Sequence, residues 1–298
     1  MPLKPVLQAP ILMSCAFVWS LSLLWNASTF AQEVEASTAA TAPVYPLNLT
    51  VTAQDEWVVA DRKLPGLWSL KAGEKPQVEL QGPKRFRERF NAIRCVATLP
   101  SGQLVVGDTA TRGVYLLEGD AEPLLLSGLD VGVPIDLAVN QQGEIFAADL
   151  ESHRIYKMSK TEDSWKCEEL IAIAAPRGLF IDQDDTLWVI TQGKKALHKM
   201  TAKGEWSVVV EEPVFQFPHD VAVLGETVYV TDGYGKCVWT MGRDGSDRQK
   251  LTHETLETPI GLAVAGEKLL LVDSRANQLY AVTKQDGITP LGWTRAAK

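Results

Sequence analysis

Six copies of one pattern run from Pro46 to the C-terminus, and no other property of the chain restricts its fold as strongly. Each copy opens on a short apolar stretch: Pro46-Leu-Asn-Leu-Thr-Val, Ala92-Ile-Arg-Cys-Val-Ala, Pro134-Ile-Asp-Leu-Ala-Val, Pro176-Arg-Gly-Leu-Phe-Ile, Pro218-His-Asp-Val-Ala-Val and Pro259-Ile-Gly-Leu-Ala-Val. The last four steps measure 42, 42, 42 and 41 residues. A second stretch ends on Asp61, Asp108, Asp149, Thr191, Asp232 or Asp273, and six residues later an aliphatic side chain is followed by a ring, as in Leu67-Trp68 and Leu279-Tyr280. A period near 42 made of strands and turns predicts propeller blades, since one four-stranded sheet buries both faces only with a neighbour on each side.

Turn residues fall where a meander needs them, with Ser101-Gly102, Gln142-Gly143 and Gly225 after first strands and Gly73, Gly204 and Asp244-Gly245 after third strands. The expected fold is therefore all-β: a six-bladed β-propeller of four-stranded antiparallel blades over residues 46–298, preceded by a signal peptide. Residues 1–31 read as that signal, with Lys4 ahead of an apolar run from Ile11 to Trp25 and small residues ending at Ala31. Residues 32–45, rich in Ala and Thr, read as a flexible linker. The expected address is secreted or periplasmic, with no membrane span after cleavage, and the protein is expected to be a monomer.

Cleavage after Ala31 removes Lys4 and no acid, leaving 28 basic against 37 acidic residues, a net −9. That balance argues against nucleic acid as a partner. Cys95, Cys167 and Cys237 fall on different strands of different repeats, which argues for free thiols rather than a disulfide framework.

In an up-and-down blade the start of the innermost strand and the end of the second lie on one side of the disc, so six strand starts ring one mouth of the channel. Placed by repeat, the third position of each opening strand reads Asn48, Arg94, Asp136, Gly178, Asp220 and Gly261, and the second position adds Arg177 and His219. Asn48, Arg94, Asp136 and Arg177 are the candidate ligand-binding residues, and His219 with Asp220 the candidate catalytic pair. Two acids, two arginines and an imidazole in one concavity would shift each other's pKa values. The bland alternative is a set of solvated charges, or an Arg94–Asp136 pair that keeps a wet channel neutral. The strand-ending acids read as turn-capping groups, because an acid repeated in five blades does one blade-level job. Gln81–Phe90, with Lys84, Arg85, Arg87 and Arg89 around Phe86 and Phe90, is the longest interblade connection and reads either as a solvated loop or as a cationic rim over the mouth.

These repeats resemble the NHL-type family of six-bladed propellers, most closely in PIDLAVNQQGEIFAADLESHRIYKM of the third repeat. That family includes enzymes, RNA readers and protein-binding modules, so the resemblance implies a fold and not an activity. Phe215-Gln-Phe-Pro-His-Asp is similar to a zinc-binding blade of the peptidyl-hydroxyglycine amidating lyases, where the resemblance implies His219 as a metal ligand and Asp220 beside the catalytic centre. The matching positions of other blades hold Ile135 and Arg177, so a three-histidine zinc site is not expected. Calcium-dependent lactonases of the gluconolactonase type hold a divalent ion with Glu, Asn and Asp from separate blades. By that comparison Asn48, Asp136 and Asp220 could offer oxygens to Ca²⁺, against which Arg94 would compete. The expectation is no cofactor and a mouth that binds an anionic small molecule or a protein partner. The alternative is a hydrolase or lyase at the same mouth, with His219 and Asp220 as base and Arg94 or Arg177 polarising a carbonyl.

Overall fold

The computed structural model describes residues 40–85, 87–119 and 121–293. The expected signal peptide, most of the linker and Phe86 lie outside the described residues.

Blade 1 comprises β1 (Pro46–Val51), β2 (Trp57–Asp61), β3 (Gly66–Leu70) and β4 (Gln77–Gln81). Blade 2 comprises β5 (Ile93–Thr98), β6 (Leu104–Asp108), β7 (Gly113–Leu117) and a two-residue β8 (Leu124–Leu125). Blade 3 is β9 (Pro134–Val139) to β12 (Trp165–Ala172), with β10 (Ile145–Asp149) and β11 (Arg154–Lys160) between. Blade 4 runs through β13 (Pro176–Ile181), β14 (Leu187–Thr191), β15 (Leu197–Met200) and β16 (Trp206–Val210). Blade 5 holds β17 (Pro218–Leu224), β18 (Thr227–Asp232), β19 (Cys237–Gly242) and β20 (Gln249–Leu251), and blade 6 holds β21 (Pro259–Ala265), β22 (Lys268–Asp273), β23 (Gln278–Thr283) and β24 (Gly287–Pro290). Every sheet has four antiparallel strands in chain order, so the fold is an all-β, six-bladed propeller. There is no helix among the described residues, and so none long and apolar enough to cross a membrane.

The six opening strands are innermost. Each of β1, β5, β9, β13, β17 and β21 packs against the next, and β21 returns to β1. Blades 1 and 6 each take all four strands from their own repeat, so among the described residues the ring closes by packing and not by a shared strand.

Alternation along the strands puts apolar side chains on both faces of each blade, and six buried clusters fill the six wedges between blades. At the closure, Leu49, Trp57, Val59 and Trp68 of blade 1 meet Ile260, Leu270, Val272 and Leu279 of blade 6. Among the described residues Cys95, Cys167 and Cys237 are free thiols, on β5, β12 and β19 as the repeat pattern places them.

The strand-ending acids are clasps. Asp149, fully buried, accepts from the amides of Gly132 and Val133 ahead of β9, from the Glu151 amide beyond β10 and from the Ser152 hydroxyl. Asp61 does the same for Val44, Tyr45 and Lys63, and Asp232 for Gln216, Phe217 and Gly235. The ring on the third strand joins in, with Trp68 Nε1 donating to Asp61 at 3.1 Å and Trp239 Nε1 to Asp232 at 3.2 Å. Burial pushes the Asp149 pKa up, but these donors outweigh it and hold the group below its usual value. Blade 4 has Thr191 at this place, which accepts only the Gly193 amide, and His153 of blade 3 supplies the missing acceptor: its Nδ1 takes the Ala175 amide at 3.0 Å.

Because the closure wedge has no chain connection across it, Trp68→Ala should cost about 3–5 kcal/mol and open that wedge first. Hydrogen exchange under mild denaturant should quicken in β1 and β21 before β9 and β13. Uniform quickening across all blades would show that closure is no weaker than the other interfaces.

Candidate functional site

Every innermost strand breaks its ladder with the second strand at the mouth end. Pairing skips from Pro46 to Asn48, Ile93 to Cys95, Pro134 to Asp136, Pro176 to Gly178 and Pro259 to Gly261, with a longer break from Pro218 to Val221. A bulge turns its extra residue out of the ladder, and here it does so six times around one opening. The bulged ring is Leu47, Arg94, Ile135, Arg177, His219 and Ile260.

This register corrects the sequence-based alignment of the second repeat. Ile93, not Ala92, takes the place of the opening proline, since it is Ile93 that pairs with Asp108 as Pro46 pairs with Asp61. Arg94 therefore belongs with Arg177 and His219, and the third-position ring is Asn48, Cys95, Asp136, Gly178, Asp220 and Gly261. The candidates expected in one mouth are divided between two levels.

Arg94, Arg177 and His219 form the upper level. Arg94 NH1 reaches back to the Leu47 carbonyl at 3.1 Å. The Arg177 guanidinium lies over the Phe217 ring at 5.0 Å, Phe217 stacks on Tyr234 at 4.5 Å, and His219 meets Phe217 at 4.9 Å. No carboxylate is within ion-pair distance of Arg94 or Arg177 among the described residues, so the expected Arg94–Asp136 pair does not form. Arg177 Nε is buried without a partner, as is Nε2 of Gln192, the residue that follows Thr191 and bonds back to Ala175. Burial, then the charge of Arg94, lowers the Arg177 pKa. Burial, then the charges of Arg94 and Arg177, pushes His219 down to about 3, so its imidazole is neutral at physiological pH. A cavity of about 390 Å³ opens beside Arg94 and His219, lined also by Tyr45, Leu47, Ile260 and Arg62 and by the hydroxyls of Thr109, Thr258 and Ser274; Arg177 is not part of its lining. Tyr45 and Arg62 carried no repeat signal, although the residues just before the first strand and just after the second necessarily reach the mouth.

Asn48, Asp136 and Asp220 form the lower level, a buried waist with 4–6% of each residue exposed. Each reaches forward to the next blade. Asn48 Oδ1 accepts the Val96 amide at 3.0 Å, Asp136 Oδ2 the Leu179 amide at 2.7 Å and Asp220 Oδ2 the Leu262 amide at 2.7 Å. Asn48 Nδ2 donates to Asp136 Oδ1 at 3.0 Å, and Asp220 Oδ1 takes the Val221 amide. The alternate blades carry small residues, and at Gly178 the following strand leaves no room for more: a Cβ there would lie 2.6 Å from the Asp220 Cα. Below the waist the channel continues as a second cavity of about 210 Å³, lined by the inner strands.

Two carboxyls share the waist, and burial raises the pKa of both. Asp136 rises to about 7; Asp220 rises also, by burial first and by the charge of Asp136 second. No hydrogen bond joins Asp220 to His219; both Asp220 oxygens accept backbone amides, from Val221 and Leu262, while the His219 ring packs against Phe217. All five side-chain oxygens of Asn48, Asp136 and Asp220 already accept an N–H, which does not fit a calcium cage. The bulged ring offers one imidazole, and the groups at its other places do not fit a three-histidine zinc centre. The basic connection is no rim to this cavity. Arg89 pairs with Glu122 at 2.6 Å, Arg85 with Glu88 at 3.7 Å, and Phe90 is buried edge-on against Tyr115 between blades 1 and 2.

The waist should be visible in pH titration. Asp136 binds a proton more tightly folded than unfolded, so its contribution to stability is full below about pH 4 and is lost as pH rises through about 7. His219 acts in the opposite sense between its unfolded value near 6.5 and about 3, so the informative quantity is a difference between proteins. Relative to wild type, Asp136→Asn should gain stability progressively from pH 4 to 7 in urea titrations. A pH-independent difference would mean that the waist acids are ionised together.

No protein-family model matches the chain, and no curated protein sequence matches it. Solved structures match by shape. A virginiamycin B lyase from Staphylococcus aureus aligns over 84% of each chain at 16% identity with a TM-score of 0.60. A gluconolactonase from Xanthomonas campestris covers 84% of this chain and 88% of its own at 16% identity and 0.66, and the structure of a nidogen/laminin complex covers 78% and 90% at 15% and 0.65. Two of the three are named as enzymes and one as a protein complex; at these identities the likeness is to the six-bladed propeller fold alone.

Proposed function

We propose that this chain is an exported, NHL-like propeller whose mouth binds a small anionic molecule. The observation that carries the reading is the pair of guanidinium groups, Arg94 and Arg177, delivered to one opening by strand bulges with no carboxylate partner and with Arg177 Nε unsatisfied. An unpaired buried donor on a charged group costs about 1–3 kcal/mol or more, and an anion placed between the arginines removes that cost. The neutral imidazole of His219 adds one donor without adding charge. Electrostatic focusing over a concave site favours the same ligand on a chain whose formal net charge is −8.

The export reading rests on the apolar run and the small residues up to Ala31. A hydrolase or lyase at this mouth is the second reading. It would use His219 without Asp220, and a base with a pKa of about 3 removes protons poorly at neutral pH.

Acetate, phosphate and other small anions at low ionic strength should raise the melting temperature by the mass-action amount, with the gain fading as salt is added. Arg94→Ala should abolish the gain and keep the fold, since the side chain faces the opening. Equal stabilisation of both proteins would remove the anion reading and turn the search to a protein partner. Turnover in a lactone and ester screen, lost in His219→Ala, would favour the enzymatic reading. Elemental analysis of protein purified without chelator should find no stoichiometric zinc; one zinc per chain would overturn that expectation.

A further inference from the structure

The bulged ring mixes two chemistries, with Ile135 standing between the two arginines. Blades 2, 4 and 5 contribute Arg94, Arg177 and His219, whereas blades 6, 1 and 3 contribute Ile260, Leu47 and Ile135. Blades 6 and 1 are neighbours, so Ile260 and Leu47 stand side by side, and Tyr45 continues the same wall above them in the cavity of about 390 Å³. The Arg62 guanidinium lies over the Tyr45 ring at 5.8 Å, which fixes the ring and places a cation against one face of it. The backbone amides of Val44 and Tyr45 are held by Asp61, so this wall is built before any ligand arrives.

A cavity that sets a cation, Arg94, beside a preformed apolar wall of Tyr45, Leu47 and Ile260 is not matched to a ligand that is polar all round. A sugar acid would find partners in Thr109, Thr258 and Ser274, which also line the cavity, but the hydroxyls it turned to Tyr45, Leu47 and Ile260 would stay unpaired, at a cost for each. Inorganic phosphate would fill the cationic part and leave the apolar part wet. A carboxylate with an apolar body satisfies both, because the body displaces water from the wall and gains roughly 25 cal/mol for each Å² covered. Cavities of this volume suit ligands of small-molecule size. We infer that the mouth takes a monocarboxylate bearing an aromatic or branched aliphatic group, with its carboxylate toward Arg94 and its body against Tyr45, Leu47 and Ile260. This rests on the anion reading above and narrows it to one chemical class.

Calorimetry on the mature chain at low salt separates the two levels of inference. The panel is 3-phenylpropionate, 4-methylpentanoate, acetate, gluconate and inorganic phosphate, each titrated into wild type, Arg94→Ala and Tyr45→Ser. The first two acids should bind wild type at least tenfold more tightly than gluconate or phosphate, with a negative heat-capacity change. Arg94→Ala should weaken every anion. Tyr45→Ser, whose side chain belongs to no interblade core, should weaken 3-phenylpropionate by roughly tenfold more than it weakens acetate. If gluconate or phosphate binds as tightly as the apolar acids and loses affinity in Arg94→Ala, the anion reading stands and the apolar-body inference is wrong. If no member of the panel binds in an Arg94-dependent way, the anion reading itself fails and the inference falls with it.

Discussion

A buried carboxylate in five of the six blades holds the working end of this molecule in place. It sits at the end of the second strand and takes amides from the segment that enters the first strand and from the turn that leaves the second, so two loops that would otherwise move independently share one anchor. A buried ionised group needs such donors, and buried amides need an acceptor; the clasp meets both requirements with one side chain. The consequence reaches the mouth because the residues just before the first strand and just after the second form its walls. Tyr45 of blade 1 gives its amide to Asp61 and accepts the Arg62 amide at its own carbonyl, so the clasp fixes both. Blade 4 shows how strict the requirement is: where threonine replaces the acid, a histidine from blade 3 supplies an acceptor for the Ala175 amide.

The fold was legible because its signal is periodic. Six openings, five repeated acids and a recurring aliphatic–aromatic pair each point to the same blade, and consistency across copies offsets the weakness of any single one. The site was less legible, for two physical reasons. First, a one-residue error in the second repeat moved Arg94 into the wrong ring, because Ala92 was aligned with the prolines that open the other five repeats. Spacing to the strand-ending acid gives the correct answer: Asn48, Asp136 and Gly178 stand 13 residues before Asp61, Asp149 and Thr191, and so does Cys95 before Asp108, whereas Arg94 stands 14 before it. Second, a bulge is a property of two paired backbones and leaves no mark on one strand's sequence. Without it, adjacent residues such as His219 and Asp220 look like partners; with it, one faces the opening and the other is sunk into the next blade.

The waist also explains the alternation of polar and small residues around the channel. Asn48, Asp136 and Asp220 occupy blades 1, 3 and 5, and Cys95, Gly178 and Gly261 occupy blades 2, 4 and 6. Each long polar group bonds an amide of the following innermost strand, so the channel is braced from blades 1, 3 and 5 into their successors. A side chain at Gly178 would meet the backbone of β17, which cannot withdraw without opening the wedge beneath it. The small residues are therefore part of the brace.

Burial in that waist bears on the arginines above it, because it raises the pKa of both Asp136 and Asp220. Were Asp136 and Asp220 both ionised, two negative charges would lie beneath Arg94 and Arg177 and cancel most of their field in the cavity above. Burial prevents this: it raises both carboxyls, and the first charge to form opposes the second. With Asp136 at about 7, the pair carries less than its full charge at neutral pH, and the arginines keep an excess of positive potential at the opening. His219 follows the same balance from the other side, since burial and the two guanidinium groups keep it neutral and prevent a third cation from crowding them. In a chain that is acidic overall, Arg94 and Arg177 thus face two acids whose ionisation burial opposes, which is the electrostatic basis of the proposed anion reading.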